Sequence, residues 1–206
     1  STPPKIDGRG HVSLGRPFPH IAITILQDGQ PVGAGEIGEI AIQSIANTRG
    51  YLNNAAATAQ LFWQDGIIRS GDLGYLDEEG YLYIVGRKKN IIIHAGHNVY
   101  PQEVEEVVNG VENVRYSAAL GIDRGGIEGE QVMIFAEVRE DGTDFAEIVI
   151  EIVQAFNGRF GFRPARVYLV APKTIPMTYN GKLQHQRLKT QFLDGLLKEN
   201  GRILFS

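Results

Sequence analysis

The chain has 206 residues, a formal net charge of -4, 43% hydrophobic and 21% charged residues, and no cysteine. That length suits one domain or two small ones, each able to bury a core without covalent staples, and the missing thiol excludes disulfides, zinc–thiolate centres and a cysteine nucleophile. No basic run marks a nucleic-acid footprint, and no apolar run approaches the ~20 residues that a membrane helix needs. The start, Ser1-Thr2-Pro3-Pro4-Lys5, carries no apolar signal core; it reads as a polar, proline-rich connection from something upstream, and these features fit a cytoplasmic protein.

Residues 1–88 read as β-rich. Ile21 to Gln27 alternates apolar and polar positions, as does Glu39-Ile40-Ala41-Ile42-Gln43, the period of half-buried strands. Gln30 to Glu36 between them is a turn-rich connection. Asn53 to Phe62 is alanine-rich and predicts a short helix. Ile67-Ile68-Arg69-Ser70 resumes a strand, and Asp77-Glu78-Glu79-Gly80 turns the chain into a further strand from Tyr81 to Val85. Many short strands broken by glycine predict a small barrel or sandwich-like unit.

From about residue 89 strands and helices alternate. Asn90 to His94 is an apolar β-branched run. Pro101 suits the first turn of a helix that ends at Asn109-Gly110, with Glu103, Glu105 and Glu106 in its N-terminal half and Val104, Val107 and Val108 as its apolar stripe. Arg115 to Ile122 and Gln131 to Val138 predict strands. Asp144 with Glu147 reads as a capping box for a helix marked by Phe145, Ile148, Val149, Ile152, Val153 and Phe156. Arg166 to Val170 predicts a last strand, and Leu188, Phe192, Leu193, Leu196 and Leu197 a final helix. The fold class is therefore α+β: a small β-barrel-like subdomain over 1–88, then a mixed α+β domain over 89–206 in which two helices pack on one face of a short sheet.

Two suggestive patterns are not nucleotide-binding loops of the common kinds. Gly33, Gly35 and Gly38 fit the spacing G-x-G-x-x-G, but they lead into a strand rather than opening a helix, so they serve a hairpin and a bulge instead of a dinucleotide. Asn180-Gly181-Lys182-Leu183 lacks the upstream glycine and the following Ser or Thr of a phosphate loop. His94 and His97 have no carboxylate at ligand spacing, and no metal site is expected.

Three segments offer a site. In Arg69-Ser70-Gly71-Asp72-Leu73-Gly74-Tyr75, a carboxylate between glycines at a strand end either accepts hydrogen bonds from paired hydroxyls, as a ribose offers, or caps its own turn. In Gly86-Arg87-Lys88-Lys89-Asn90, three cations precede a buried strand; Arg87 suits ribose or phosphate oxygens, whereas Lys88 suits a solvated turn equally well. Ala95-Gly96 beyond them leaves backbone open to a thin ligand. In Pro176 to Gln184, Lys182 sits on a turn before a helix, where it is either a surface lysine or a long cation able to reach an anionic transition state.

In this order and spacing the segments resemble the adenylate-forming superfamily of acyl- and aryl-CoA synthetases, fatty-acyl-AMP ligases, peptide-synthetase adenylation domains and luciferases. Gly35-Glu36-Ile37-Gly38-Glu39-Ile40, Thr48-Arg49-Gly50-Tyr51-Leu52-Asn53-Asn54 with Thr58-Ala59, Ser70-Gly71-Asp72, Gly86-Arg87 through Glu105, and Asn180-Gly181-Lys182 carry the likeness, which spans nearly the whole chain. The resemblance implies that Asp72 binds the ribose of ATP, that Arg87 contacts ribose or phosphate, and that Lys89 is the hinge of a mobile C-terminal domain. It implies that Lys182 is the catalytic lysine of adenylate formation, and that Ala95, Gly96 and Asn98 shape a tunnel for a pantetheine thiol. It further implies a carboxylic acid and CoA or an acyl-carrier protein as partners, with ATP and magnesium, the magnesium ligands lying upstream. The chain would be a C-terminal part, inactive without the N-terminal domain of the same enzyme; the alternative is a non-catalytic docking or regulatory module on the same fold. Asn90 stands where the family commonly has Asp, and Asn180 where it has Ser or Thr. Some CoA synthetases carry arginine at the place of Asn98, so both acceptors stay open.

Overall fold

Residues 4–8, 10–125, 129–139 and 144–206 are described by the computed structural model; Ser1-Thr2-Pro3 of the proline-rich start lie outside them. The chain divides into two units, Ser1–Lys89 and Asn90–Ser206.

The first unit contains, in chain order, β1 (Ile21–Gln27), β2 (Gln30–Pro31), β3 (Gly38–Ser44), α1 (Ala55–Leu61), β4 (Phe62–Gln64), β5 (Ile67–Leu76) and β6 (Leu82–Arg87). They form one curled, open antiparallel sheet in the order β2-β1-β3-β5-β4, with β6 also paired to β5. Alternation places Ile25, Ile40 and Leu82 in the core, with Ile23, Ile42, Leu76 and Ile84 packed on them. The tight turn after β1 is Asp28-Gly29, both at positive φ, the geometry of a two-residue hairpin; the Gln30–Glu36 connection comes after it. Asn54 caps α1, its side chain accepting from Ala57 N–H. Beyond β6, Leu14 N–H donates to the Leu82 carbonyl and Leu82 N–H to the Gly15 carbonyl, so the N-terminal segment prolongs the sheet. Lys5 Nζ lies 2.8 Å from Asp77 Oδ2, and the Tyr75 hydroxyl donates to Asp7 Oδ2.

A 3₁₀ turn over Lys88–Asn90 leads into β7 (Ile92–His94), β8 (His97–Val99), α2 (Pro101–Asn109), β9 (Val114–Asp123), β10 (Glu130–Val138), α3 (Phe145–Phe160), β11 (Arg166–Val170), α4 (His185–Leu193), α5 (Leu196–Glu199) and β12 (Ile203–Phe205). The main sheet runs β12-β11-β10-β9; only β10 and β11 are parallel, with α3 between them in the chain. Its central strands are buried on both faces. Val132, Ile134, Ala136 and Val138 meet Val104 and Val108 of α2 and Ile148, Ile152 and Phe156 of α3. Met133 and Phe135 point the other way, toward Leu188 of α4 and Leu197 of α5. Two helices cover one face as expected, and a second helical pair covers the other, which explains why β10 reads as an unbroken apolar run.

Three local expectations are revised. The run Asn90–His94 is shortened to Ile92–His94, which returns along itself as β8. The leucine-marked C-terminal helix is two helices: Gly195 adopts φ 78°, left-handed backbone that ends helical hydrogen bonding although apolar spacing continues through it. β12 follows, pairing with β11. At the predicted capping box, Asp144 accepts from the N–H groups of Ala146 and Glu147.

Candidate active-site segments

Asp72 is not at a strand end. Ala41 of β3 faces Arg69 and Glu39 faces Leu73, so Ser70, Gly71 and Asp72 together oppose the single residue Ile40. This bulge inside the ten-residue strand β5 kinks the backbone at Gly71, whose φ is 73°, and re-aims the Asp72 side chain. Asp72 N–H donates to Ser70 Oγ at 3.0 Å. Arg87 is the cross-strand partner of Asp72, with Nε 2.8 Å from Oδ1 and Nη1 3.4 Å from the Ser70 carbonyl. The half-exposed pair adds little stability by itself, but it holds one carboxylate oxygen in place. Among the described residues Oδ2 has no side-chain partner and can accept from an incoming hydroxyl.

The neighbouring cation has a different task. Lys88 Nζ lies 2.9 Å from Glu39 Oε2, and Arg69 Nε 3.3 Å from the same oxygen. Glu39 is buried on β3, so two cations offset the burial of its charge and clamp the end of β6 to the sheet. Lys88 is therefore neither a free solvated turn residue nor available to a phosphate without giving up this carboxylate. Lys89 is exposed in the 3₁₀ turn.

In the second unit, β7 and β8 form a hairpin in which His94 faces His97. Ala95 (φ 48°) and Gly96 (φ 77°) make its two-residue turn and are solvent-exposed, as is Asn98 on β8. His94 is structural: Nδ1 lies 2.9 Å from the Glu130 carbonyl oxygen and the ring stacks on Phe162. Among the described residues no three acidic or histidine side chains converge as a metal site would require.

Lys182 ends a loop that is closed on itself. Thr178 N–H donates to the Lys182 carbonyl at 2.8 Å, Gly181 N–H to the Thr178 carbonyl at 2.9 Å, and Lys182 N–H to Thr178 Oγ1 at 3.0 Å. Gly181, at φ 77°, makes the reversal possible, and Met177 pairs with Leu183 at the base. The Lys182 side chain projects into solvent.

One group was not singled out by sequence reasoning. His185, three residues after Lys182 and first in α4, places Nε2 2.6 Å from Glu105 Oε1 and Nδ1 3.3 Å from Asn90 Nδ2. Both side chains of the His185–Glu105 pair are at least nine-tenths buried. The only trace in the sequence was Glu105 itself, counted as a charge suited to the helix N-terminus.

The fold and its relatives define the class: the chain belongs to the adenylate-forming superfamily, as a C-terminal portion of such an enzyme. It is 40% identical over 177 residues to the 2-succinylbenzoate–CoA ligase of Geobacillus kaustophilus, a match covering 86% of this chain and 35% of that protein. Among solved structures it resembles McyG A-PCP complexed with phenylalanyl-adenylate (TM-score 0.80, 33% identity, 93% of this chain and 35% of the other). It also resembles the o-succinylbenzoate CoA synthetase of Bacillus subtilis in complex with its acyl-adenylate intermediate (TM-score 0.74, 29% identity, 86% and 35%). No family model matches the chain. The chain spans 35% of the length of that Geobacillus ligase and 25% of the sulfoacetate–CoA ligase of Cupriavidus necator.

Proposed function

We propose that this chain supplies the lysine-bearing part of an ATP-dependent ligase that activates a carboxylic acid as its acyl-adenylate and passes the acyl group to a pantetheine thiol, of CoA or of a carrier protein. In the first step a carboxylate oxygen of the acid attacks the α-phosphorus of ATP and pyrophosphate leaves. In the second a thiol sulfur attacks the acyl carbon, AMP leaves, and the thiol proton passes to solvent or a base. ATP carries the AMP found as adenylate in the related structures.

The observation that carries this reading is Lys182 held at the end of a self-bonded loop, its ammonium free to meet the negative charge that grows on phosphorus. Asp72 accepts from the ribose through Oδ2 while Arg87 holds its other oxygen, and the remaining guanidinium N–H groups of Arg87 are left to donate to ribose or phosphate oxygens. Lys89 serves as the pivot between the two units, and a rotation there withdraws Lys182 and presents the Ala95-Gly96 turn and Asn98 to the pantetheine arm, a step of the kind that lids and hinges perform. Magnesium accompanies ATP, and no residue of this chain is assigned to it. ATP and CoA as substrates fit a cytoplasmic setting. The 206 residues alone are expected to give no turnover, because they correspond to about a third of the relatives' length.

The test is replacement of Lys182 by Ala in the complete enzyme. ATP–pyrophosphate exchange is expected to fall by ~10²–10³-fold, the effect of removing one strong electrostatic donor, while transfer from preformed acyl-adenylate to thiol continues. An unchanged exchange rate refutes the reading and favours a docking or regulatory module on the same fold.

A further inference from the structure

The buried contact between α4 and α2 resolves into a hydrogen-bond chain with a single direction. Gln186 Nε2 lies 3.4 Å from Asn90 Oδ1, so the Asn90 carbonyl accepts there and its amide nitrogen donates elsewhere. That nitrogen faces His185 Nδ1 at 3.3 Å, an arrangement in which Nδ1 is the acceptor. Nε2 lies 2.6 Å from Glu105 Oε1 and donates to it, and that oxygen also accepts from Ala119 N–H at 3.1 Å. With the two amides so oriented, the Nε2–H tautomer gives each contact along Asn90, His185 and Glu105 one donor and one acceptor. Glu105 is anchored further, since Ser117 Oγ donates to its backbone carbonyl.

The three residues come from segments far apart in the chain. Asn90 directly follows Lys89. Glu105 lies on α2, just past the hairpin that carries Ala95 and Gly96. His185 begins α4 and is two residues from Leu183, which closes the base of the Lys182 loop. The imidazole and the carboxylate are at least nine-tenths buried, so the contact is costly to break.

We propose that His185 is a positioning residue: with Glu105 and Asn90 it locks the base of the Lys182 loop to the segment leaving the hinge, so that a rotation at Lys89 is delivered to the lysine without slack. This deepens, and rests on, the reading of Lys182 and Lys89 given above. The imidazole touches no substrate in this role; it acts through the lysine.

Two measurements decide it. In the 206-residue chain with ¹⁵N-labelled histidine, long-range ¹H–¹⁵N correlation at neutral pH is expected to show His185 with Nδ1 bare and Nε2 protonated; the opposite tautomer overturns the chain of donors. In the complete enzyme, His185→Ala is expected to lower kcat of ATP–pyrophosphate exchange by ~10–100-fold, the penalty of a displaced catalytic group, with KM for ATP changed less than about threefold. Thioester formation from preformed adenylate stays unchanged, and His185→Gln, whose amide can still donate to Glu105, recovers most of the loss. Equal losses in both half-reactions mean a merely structural role and overturn the proposal, as does an exchange rate that H185A leaves intact while K182A abolishes it. Intact exchange in K182A removes the lysine reading itself, and the proposal with it.

Discussion

Gly74→Ala tests how the bulged strand is held. Gly74 lies on β5 two residues past Asp72, opposite Gly38 of β3 and Ile84 of β6. A methyl group at this position meets the Tyr83 carbonyl oxygen at 2.2 Å and Ile40 Cδ1 at 2.9 Å, whereas ordinary contact begins at 3.4 Å. The first clash is with backbone, which no rotamer change can relieve, so β5 and β6 must part by about 1.2 Å, the difference between 3.4 and 2.2 Å. Ladder hydrogen bonds of ~2.9 Å then pass beyond useful range. Overpacking costs ~1–3 kcal/mol and each lost ladder bond about 1 kcal/mol, so a total of about 3–4 kcal/mol is expected. In a unit of this size each kcal/mol moves the midpoint by ~4–8 °C, so thermal melting followed by circular dichroism should show the first unit unfolding at least about 12 °C earlier. The same parting separates Asp72 from Arg87, so KM for ATP in the complete enzyme should rise as well. A melting point within about 3 °C of wild type would refute the argument from strand spacing.

The remaining predictions concern one helix and one pH range. Gly158 lies exposed within α3 with no atom within 4 Å of a prospective Cβ and without left-handed backbone, so Gly158→Ala should stabilise the second unit by ~0.5–1 kcal/mol in urea titration. The Lys5 ammonium, hydrogen-bonded to Asp77, holds that carboxyl below the ordinary carboxylate range, and the same pairing with Asp77 and Glu79 raises the Lys5 ammonium above its usual value. Asp77 therefore stabilises the fold above its unfolded value of about 3.9 and loses this contribution as pH falls through its folded value. Lys5 contributes fully below about 10.4 and loses its contribution as pH rises through its own higher folded value. Protection of the Leu14 amide, which ties the N-terminal segment to Leu82 of β6, should drop on acidification below that carboxylate range, and Lys5→Met should flatten the dependence; equal protection on both sides refutes the role given to the Lys5–Asp77 pair.

Element positions were legible wherever one local periodicity ruled. β1 needed only the alternation of Ile21 to Gln27, and α2 only Pro101 before a valine stripe. What escaped was set by pairing between distant segments. Asp72 sits between glycines, which looks like a strand end, and the bulge exists only because β3 contributes one residue where β5 contributes three. Lys88 looked like a solvated cation because Glu39 lies 49 residues earlier, and Glu105 looked like a helix-terminus charge because its partner lies 80 residues later. At Gly195 the leucine spacing ran on smoothly while one left-handed residue broke the helix, so apolar period outvoted the glycine. Lys182 was singled out by motif, but that its loop is closed by Thr178 is a property of folded backbone alone.

That closure has a thermodynamic corollary. Because three hydrogen bonds already fix the hook around residues 178–182, its backbone disorder was removed when the chain folded and need not be removed again when Lys182 acts as proposed. On that reading only the four methylenes of the lysine side chain are left to be ordered around a bound nucleotide. In the proposed role, a stiff mount under a supple tip would let one cation serve a brief, highly charged state and then depart with little entropic debt.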